Sequence, residues 1–397
     1  MTSNSHNTGI LIFAAGRPEE QQPGALWLQR YLNIYEKDDL FWWNIGSAPI
    51  RTNESWISRK NVIQDNVWFE INRLNRRCNW NILRSYMIKR LTRHKFYDKI
   101  SAVLVIVDLF TWPYIVPLLN LMRKPVIGII LDDLIPMHRL LHPKRPPPCH
   151  QDYFNALRKM AVVLVVSKEM CEKYQKVGLN KVKLLSPLGL EDVRNPGNRK
   201  AGARLEIGVI GTIYGRGKLL EFFMFLNSVL AHRARSMRFH MTRNPQDEVI
   251  STIKKCKNLS VNFLGELHDD DIQLFAQGMD CLFMNAEFEA DSEELVSTQF
   301  ASKLPVYISL GRPILNVAPV YYPPTKFLQG KPFGICVTDV NIETVETALD
   351  TLLSRTDGSI LINHQVYKEA AKGFDPHINR ERLRDHIQAA MRDQYLN

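Results

Sequence analysis

Ser101-Ala-Val-Leu-Val-Ile-Val107-Asp108 and Pro125-Val-Ile-Gly-Ile-Ile-Leu131-Asp132-Asp133 are the lines of this sequence that decide its fold. Each is an uninterrupted apolar run of strand length that ends on aspartate, and a helical segment, Tyr114–Met122, lies between them. A strand that is apolar at every position has no face to give to water. Strand, helix, strand is also the connection that a parallel sheet requires. The stretch therefore predicts an α/β domain whose parallel sheet is covered on both faces.

Working outward, Gly9-Ile-Leu-Ile-Phe-Ala-Ala15 reads as a buried strand, Gly16 and Arg17-Pro-Glu-Glu-Gln-Gln-Pro23 as a polar loop, and Gly24–Leu32 as a helix. Downstream come a helix at Phe154–Met160, a strand at Ala161–Val166, a cap at Ser167 and a last strand from Lys183. Asn195-Pro-Gly-Asn-Arg-Lys-Ala-Gly202 has linker composition. The pattern then restarts, with strands expected at Leu205–Gly211, Met237–Met241, Leu259–Leu264, Cys281–Asn285, Pro313–Val317 and Gly334–Val337. The expected organisation is two Rossmann-like domains, residues 1–198 and 199–375, and a final helix over 376–397. At 397 residues, two cores are the default.

Composition narrows the class. With 45% hydrophobic and 23% charged residues the chain is ordinary globular protein. Six cysteines without a CxxC pair or metal-like spacing point to a reduced, cytoplasmic setting. The polar residues Met1–Asn7 lack a signal-peptide core, and no run reaches membrane-span length. The net charge of +10 is concentrated between Arg73 and Lys99, where cations alternate with Trp80, Tyr86 and aliphatic residues. Such a segment suits an anionic membrane surface or a polyanionic acceptor, and a solvated basic helix face is the plainer alternative. Nucleic acid is a weaker expectation, since no recognition motif accompanies the charge.

Three places carry chemistry. Leu295–Leu315 opens with Ser297, Thr298, Ser302 and Lys303 ahead of an apolar helix, hydroxyls and one cation where free amides and the helix dipole favour a phosphate. Gly211-Thr-Ile-Tyr-Gly-Arg-Gly-Lys218 is a glycine-rich turn bearing Thr212, Tyr214, Arg216 and Lys218, which fits a diphosphate. It lacks P-loop spacing, so NTPase activity is disfavoured. Asp132-Asp133 sits at a strand's carboxyl end, where one of two crowded carboxylates can act as a base. His138, His142 and the stiff basic loop Pro143–Pro148 follow it. Asp269-Asp270-Asp271 resembles a metal-binding DxD but reads better as a helix start.

Taken together, the chain resembles GT-B glycosyltransferases most closely from Gly208 to Ala318. Phe263-Leu-Gly-Glu-Leu267 and Leu274–Met284 are similar to that family's segment bordering the nucleotide base, which implicates Gly265, Glu266 and Leu267. Ser302-Lys303-Leu-Pro-Val-Tyr307 with Gly311-Arg-Pro313 resembles the S-K-x-x-x-Y-x-x-x-G-x-P signature of a subgroup that includes the xanthan glucuronosyltransferase. There the lysine contacts the donor diphosphate, a role that would pass to Lys303. The ribose-binding paired glutamates of retaining members are replaced by Thr298 and Val306. The resemblance implies a nucleotide-sugar donor in the second domain, an acceptor site in the first near Gly16 and Arg17, and Asp132 or Asp133 as base. It also implies two domains facing across a cleft, the last helix returning to the first, and an inverting, metal-independent transfer without a cofactor. The acceptor would be a glycan or lipid-linked glycan in surface polysaccharide synthesis at the inner face of the membrane. The alternatives are a phage-type DNA glycosyltransferase and a non-catalytic carbohydrate-binding scaffold.

Overall fold

The apolar runs at the middle of the first half do form neighbouring parallel strands. The computed structural model describes residues 9–14, 23–44, 62–64, 80–94, 97–193, 202–213, 215–265, 267, 269–356 and 362–396. Two compact units result: residues 1–186 with 377–397, and residues 187–376. The expected boundary at residue 198 falls outside the described residues.

In the first unit the order is β1 (Gly9–Ala14), α1 (Pro23–Leu32), β2 (Leu40–Asn44), β3 (Val62–Gln64), α2 (Trp80–Thr92), β4 (Ile100–Ile106) and α3 (Trp112–Leu121). It continues through β5 (Val126–Ile130), α4 (Leu134–Leu141), α5 (His150–Lys159), β6 (Val162–Val165), α6 (Lys168–Lys176) and β7 (Val182–Leu184). The strands make one sheet in the order β3-β2-β1-β4-β5-β6-β7, and all its pairs are parallel. Every residue of β1 and β5 is buried, as an all-apolar strand demands. Each fully buried leucine or isoleucine here contributes about 1.5–3 kcal/mol, so the two covered faces dominate the stability of the sheet.

The strands β2 and β3 are not foreseen by the sequence reading. Leu40-Phe-Trp-Trp-Asn44 follows the charged Glu36-Lys-Asp-Asp39 and lacks β-branched residues, yet it pairs in parallel with β1 from Ile10↔Leu40 to Ala14↔Asn44. Burial of Trp42 and Trp43 accounts for the strand, and the Trp43 ring lies 4.8 Å from that of Phe13.

The second unit runs β8 (Arg204–Val209), α7 (Lys218–His232), β9 (Ser236–Met241), α8 (Asp247–Lys255), β10 (Leu259–Phe263), α9 (Asp269–Gln277) and β11 (Cys281–Asn285). Then come α10 (Glu293–Val296), α11 (Lys303–Leu310), β12 (Ile314–Val317), α12 (Pro323–Leu328), β13 (Gly334–Val337), α13 (Ile342–Thr356) and α14 (His364–Ala371). Its sheet is six-stranded, in the order β10-β9-β8-β11-β12-β13. The final helix, α15 (Pro376–Leu396), belongs from His377 onward to the first unit, where Arg380 Nε donates to the Arg30 carbonyl at 2.8 Å. Among the described residues no helix is long and apolar enough to cross a membrane.

The order of each sheet reverses direction once, between β1 and β4 and again between β8 and β11. At such a switch point the loops leave to opposite sides and open a crevice beyond the carboxyl ends of the strands. The sites below follow from that rule.

Candidate active site

In the second unit the crevice is bounded by the loop after β8, by the segment after β11 and by α11. Tyr307 of α11 fastens the three together. Its buried hydroxyl accepts the Ile210 N–H at 2.9 Å and donates to the Phe283 carbonyl at 3.0 Å. The loop is pinned twice more, by Gly211 N–H to Thr242 Oγ1 (2.8 Å) and Gly215 N–H to Gln246 Oε1 (3.0 Å). Gly211 has φ +88° and Gly217, the cap of α7, has φ +46°. Both values favour glycine. A Cβ on Gly217 would in addition run into Glu289 Oε1.

Lys303 is the first residue of α11 and is half-buried. Among the described residues it has no carboxylate or hydrogen-bond partner, and burial alone draws its ammonium down to about 8. An unpaired cation in that position is costly unless an anion arrives. The nearby hydroxyls behave differently from expectation. Ser297 and Thr298 direct their protons to the Glu294 and Leu295 carbonyls (3.0 and 3.1 Å), so neither offers a donor to a phosphate. Ser302 is exposed and makes no capping bond. Thr212 is half-buried, Gly265 is exposed beyond β10, and Leu267 packs on the core. Tyr214 and Glu266 lie outside the described residues.

Arg216 is not waiting free. Its guanidinium holds Asp291 through both carboxylate oxygens at 2.6 Å, with Glu287 Oε2 3.8 Å from Nε. Lys218, expected to face a ligand, instead meets Glu221 one turn along α7 at 3.1 Å. Glu287, Glu289 and Asp291 form an acidic trio directly after β11 that the sequence reading did not single out. Burial and the adjoining Glu289 carboxyl push Glu287 up to about 7, since two carboxyls in hydrogen-bond contact must share a proton. The signal was available: three acids at alternate positions just past a strand's carboxyl end.

In the first unit, the two candidate bases part company. Asp133, only 2% exposed, accepts from Lys173 Nζ at 2.7 Å and from the Tyr174 hydroxyl at 3.2 Å, and Tyr174 meets Tyr153 at 2.9 Å. Its carboxylate is an internal anchor tying β5 to α6, and both of its oxygens are engaged away from solvent. That corrects its assignment as base. Asp132 is half-buried at the same strand end. Gly16 and Arg17 lie outside the described residues. The helix α9 begins at Asp269, so the acidic triple stands at a helix start.

No protein-family model matches the sequence, and no curated protein resembles it significantly. Solved structures do resemble the fold. The UDP-forming α,α-trehalose-phosphate synthase of Burkholderia xenovorans superposes with a TM-score of 0.62 at 10% identity, over 96% of this chain and all of that one. The lipopolysaccharide outer core galactosyltransferase WaaB, in its apo form, gives 0.63 at 10% identity over 96% and 99%. A glycosyltransferase from Rickettsia africae gives 0.59 at 12% identity over 98% and 97%. At these identities the likeness establishes the architecture, two Rossmann-like parallel-sheet units of GT-B type with a C-terminal helix.

Proposed function

We propose that this chain is a glycosyltransferase that moves a sugar from a nucleotide-sugar donor to a glycan or lipid-linked glycan acceptor. The observation that carries the reading is Lys303, a half-buried cation without a partner among the described residues, set at a helix start beside the switch-point crevice. Departure of a nucleoside diphosphate develops negative charge, which Lys303 and a released Arg216 stabilise without a metal. Asp132 takes the proton from the acceptor hydroxyl, and direct displacement by that hydroxyl inverts the sugar. UDP is the first nucleotide to try, because the trehalose-phosphate synthase of the same fold is UDP-forming. A surface-glycan acceptor is supported by the likeness to WaaB. The α2 helix buries Ile88 and Leu91 while exposing Tyr86, Lys89 and Arg90, which supports peripheral contact with an anionic membrane from the cytoplasmic side.

Thermal shift against a panel of nucleoside diphosphates and nucleotide sugars tests the reading. One diphosphate should stabilise the protein, by about 2.7 kcal/mol at a hundredfold excess over its dissociation constant. Lys303→Ala should remove the shift, and Asp132→Asn should keep it while ending transfer. A flat panel favours the non-catalytic scaffold. Salt-sensitive binding of duplex DNA would favour the DNA-modifying alternative.

A further inference from the structure

We infer that the segment from His138 to His150 in the first unit binds a phosphate or diphosphate group carried by the acceptor, an inference that rests on the sugar-transfer reading. Between Asp133 and Asp152 the chain holds His138, Arg139, His142, Lys144, Arg145 and His150, and no aspartate or glutamate. The fold gathers them. The N–H of His142 closes α4 on the His138 carbonyl at 2.8 Å, and the Arg145 N–H returns to the His142 carbonyl at 2.9 Å. The His138 and His142 rings stand 5.2 Å apart. Arg139 Nη2 donates to His150 Nε2 at 3.2 Å, which places the start of α5 against the end of α4 and requires a neutral His150 ring. Among the described residues no carboxylate pairs with His138, His142, Lys144, Arg145 or His150, and the inner nitrogen of His138, Nδ1, is buried without a hydrogen-bond partner.

The plainer account is that cations complement the carboxyl end of α4. That dipole acts within the last turn and is satisfied by one or two charges. Lys144 and Arg145 lie beyond it. Burial, together with His142 and Arg145, holds His138 below its ordinary pKa, as an electropositive pocket should. The location adds a second argument, because α4 springs from the carboxyl end of β5 through Asp132, where ligands of open α/β sheets sit. The third is preorganisation. Pro143 and Pro146–Pro148 stiffen the loop that carries Lys144 and Arg145, which lowers the entropy lost when a ligand orders them. Two arginine forks and a lysine suit phosphate oxygens in particular.

The test uses inorganic pyrophosphate as probe and calorimetric titration as readout. The variant is Arg139→Ala with Lys144→Ala and Arg145→Ala, all exposed, so the fold should persist. The wild type and Lys303→Met should both bind pyrophosphate at this site, and the triple variant should bind it there on the order of tenfold more weakly. The triple variant should still be stabilised by the nucleoside diphosphate that stabilises the wild type. Pyrophosphate binding by Lys303→Met that is unchanged when the triple substitution is added to it overturns the inference and leaves the sugar-transfer reading standing. A flat nucleotide panel defeats that reading instead. Glucose 6-phosphate and phosphatidic-acid vesicles separate the sources: preference for the first assigns a soluble sugar phosphate, preference for the second a lipid-borne one. Binding of neither by the wild type counts against the inference.

Discussion

Lys303 makes a quantitative prediction about pH. Its ammonium titrates at about 8 because it is half-buried without a counter-ion. A diphosphate binds the protonated form, so raising the pH through 8 removes the group that holds the ligand. With the bound complex fully protonated, the dissociation constant scales inversely with the protonated fraction of the free site. It should be about twofold weaker at pH 8 than at pH 7 and about tenfold weaker at pH 9, close to 1.4 kcal/mol in all. The ligand's own last ionisation lies near pH 6 and is complete over this range. Glu287 contributes in the same direction but about a unit lower, because it gains its negative charge near 7. Calorimetry with the stabilising nucleoside diphosphate from pH 6.5 to 9.5 separates the two, with Glu287→Gln removing the lower step and Lys303→Met the upper. The free protein should move the opposite way. An unfolded lysine binds its proton up to about 10.4, so between 8 and 10 the unfolded state holds more protons and stability rises with pH. Lys303→Met should therefore stabilise the free protein at pH 7 by about 1–3 kcal/mol while weakening the ligand. A wild-type dissociation constant constant from pH 7 to 9, or an unchanged slope in Lys303→Met, would refute the reasoning.

Further outcomes follow from the other contacts. Asp291→Asn frees Arg216 from a solvent-exposed bidentate pair of about 0.2–1 kcal/mol, so nucleoside diphosphate should bind about 1.5- to 5-fold more tightly by calorimetry. Weaker binding would mean that Asp291 positions Arg216 rather than competing for it. Asp133→Ala removes the buried carboxylate that Lys173 and Tyr174 share and should cost about 3 kcal/mol in chemical denaturation, more than Asp132→Asn at its half-buried neighbour. Tyr307→Phe removes two buried hydrogen bonds and orphans the Ile210 N–H, a loss of about 1–3 kcal/mol that denaturant titration can read.

Most of the sheet framework was legible because parallel strands bury both faces, and runs such as Val103–Ile106 and Cys281–Asn285 leave no other reading. What was not legible depended on partners distant in sequence. Leu40–Asn44 is a strand because β1 lies beside it and Trp43 fills the core against Phe13, neither of which a local window contains. At the site, Lys303 and the glycine turn are visible as residue types in pattern. The sequestration of Arg216 is not, since Asp291 lies 75 positions away. Asp132 and Asp133 are adjacent and chemically identical in sequence. Only the placement of Lys173 and Tyr174 tells the anchor from its half-buried neighbour.

The division of the first unit between residues 1–186 and 377–397 has a consequence for how the protein is made. Synthesis proceeds from the N-terminus, and domains generally fold as units as they emerge. Here the second unit is complete in the nascent chain while the first still lacks α15 and the Arg380 contact to Arg30. The unit begun first should therefore be finished last. Until then the surface of α1 that α15 will cover is open to chaperones, and a chain halted near residue 376 should expose that surface while retaining a folded second unit.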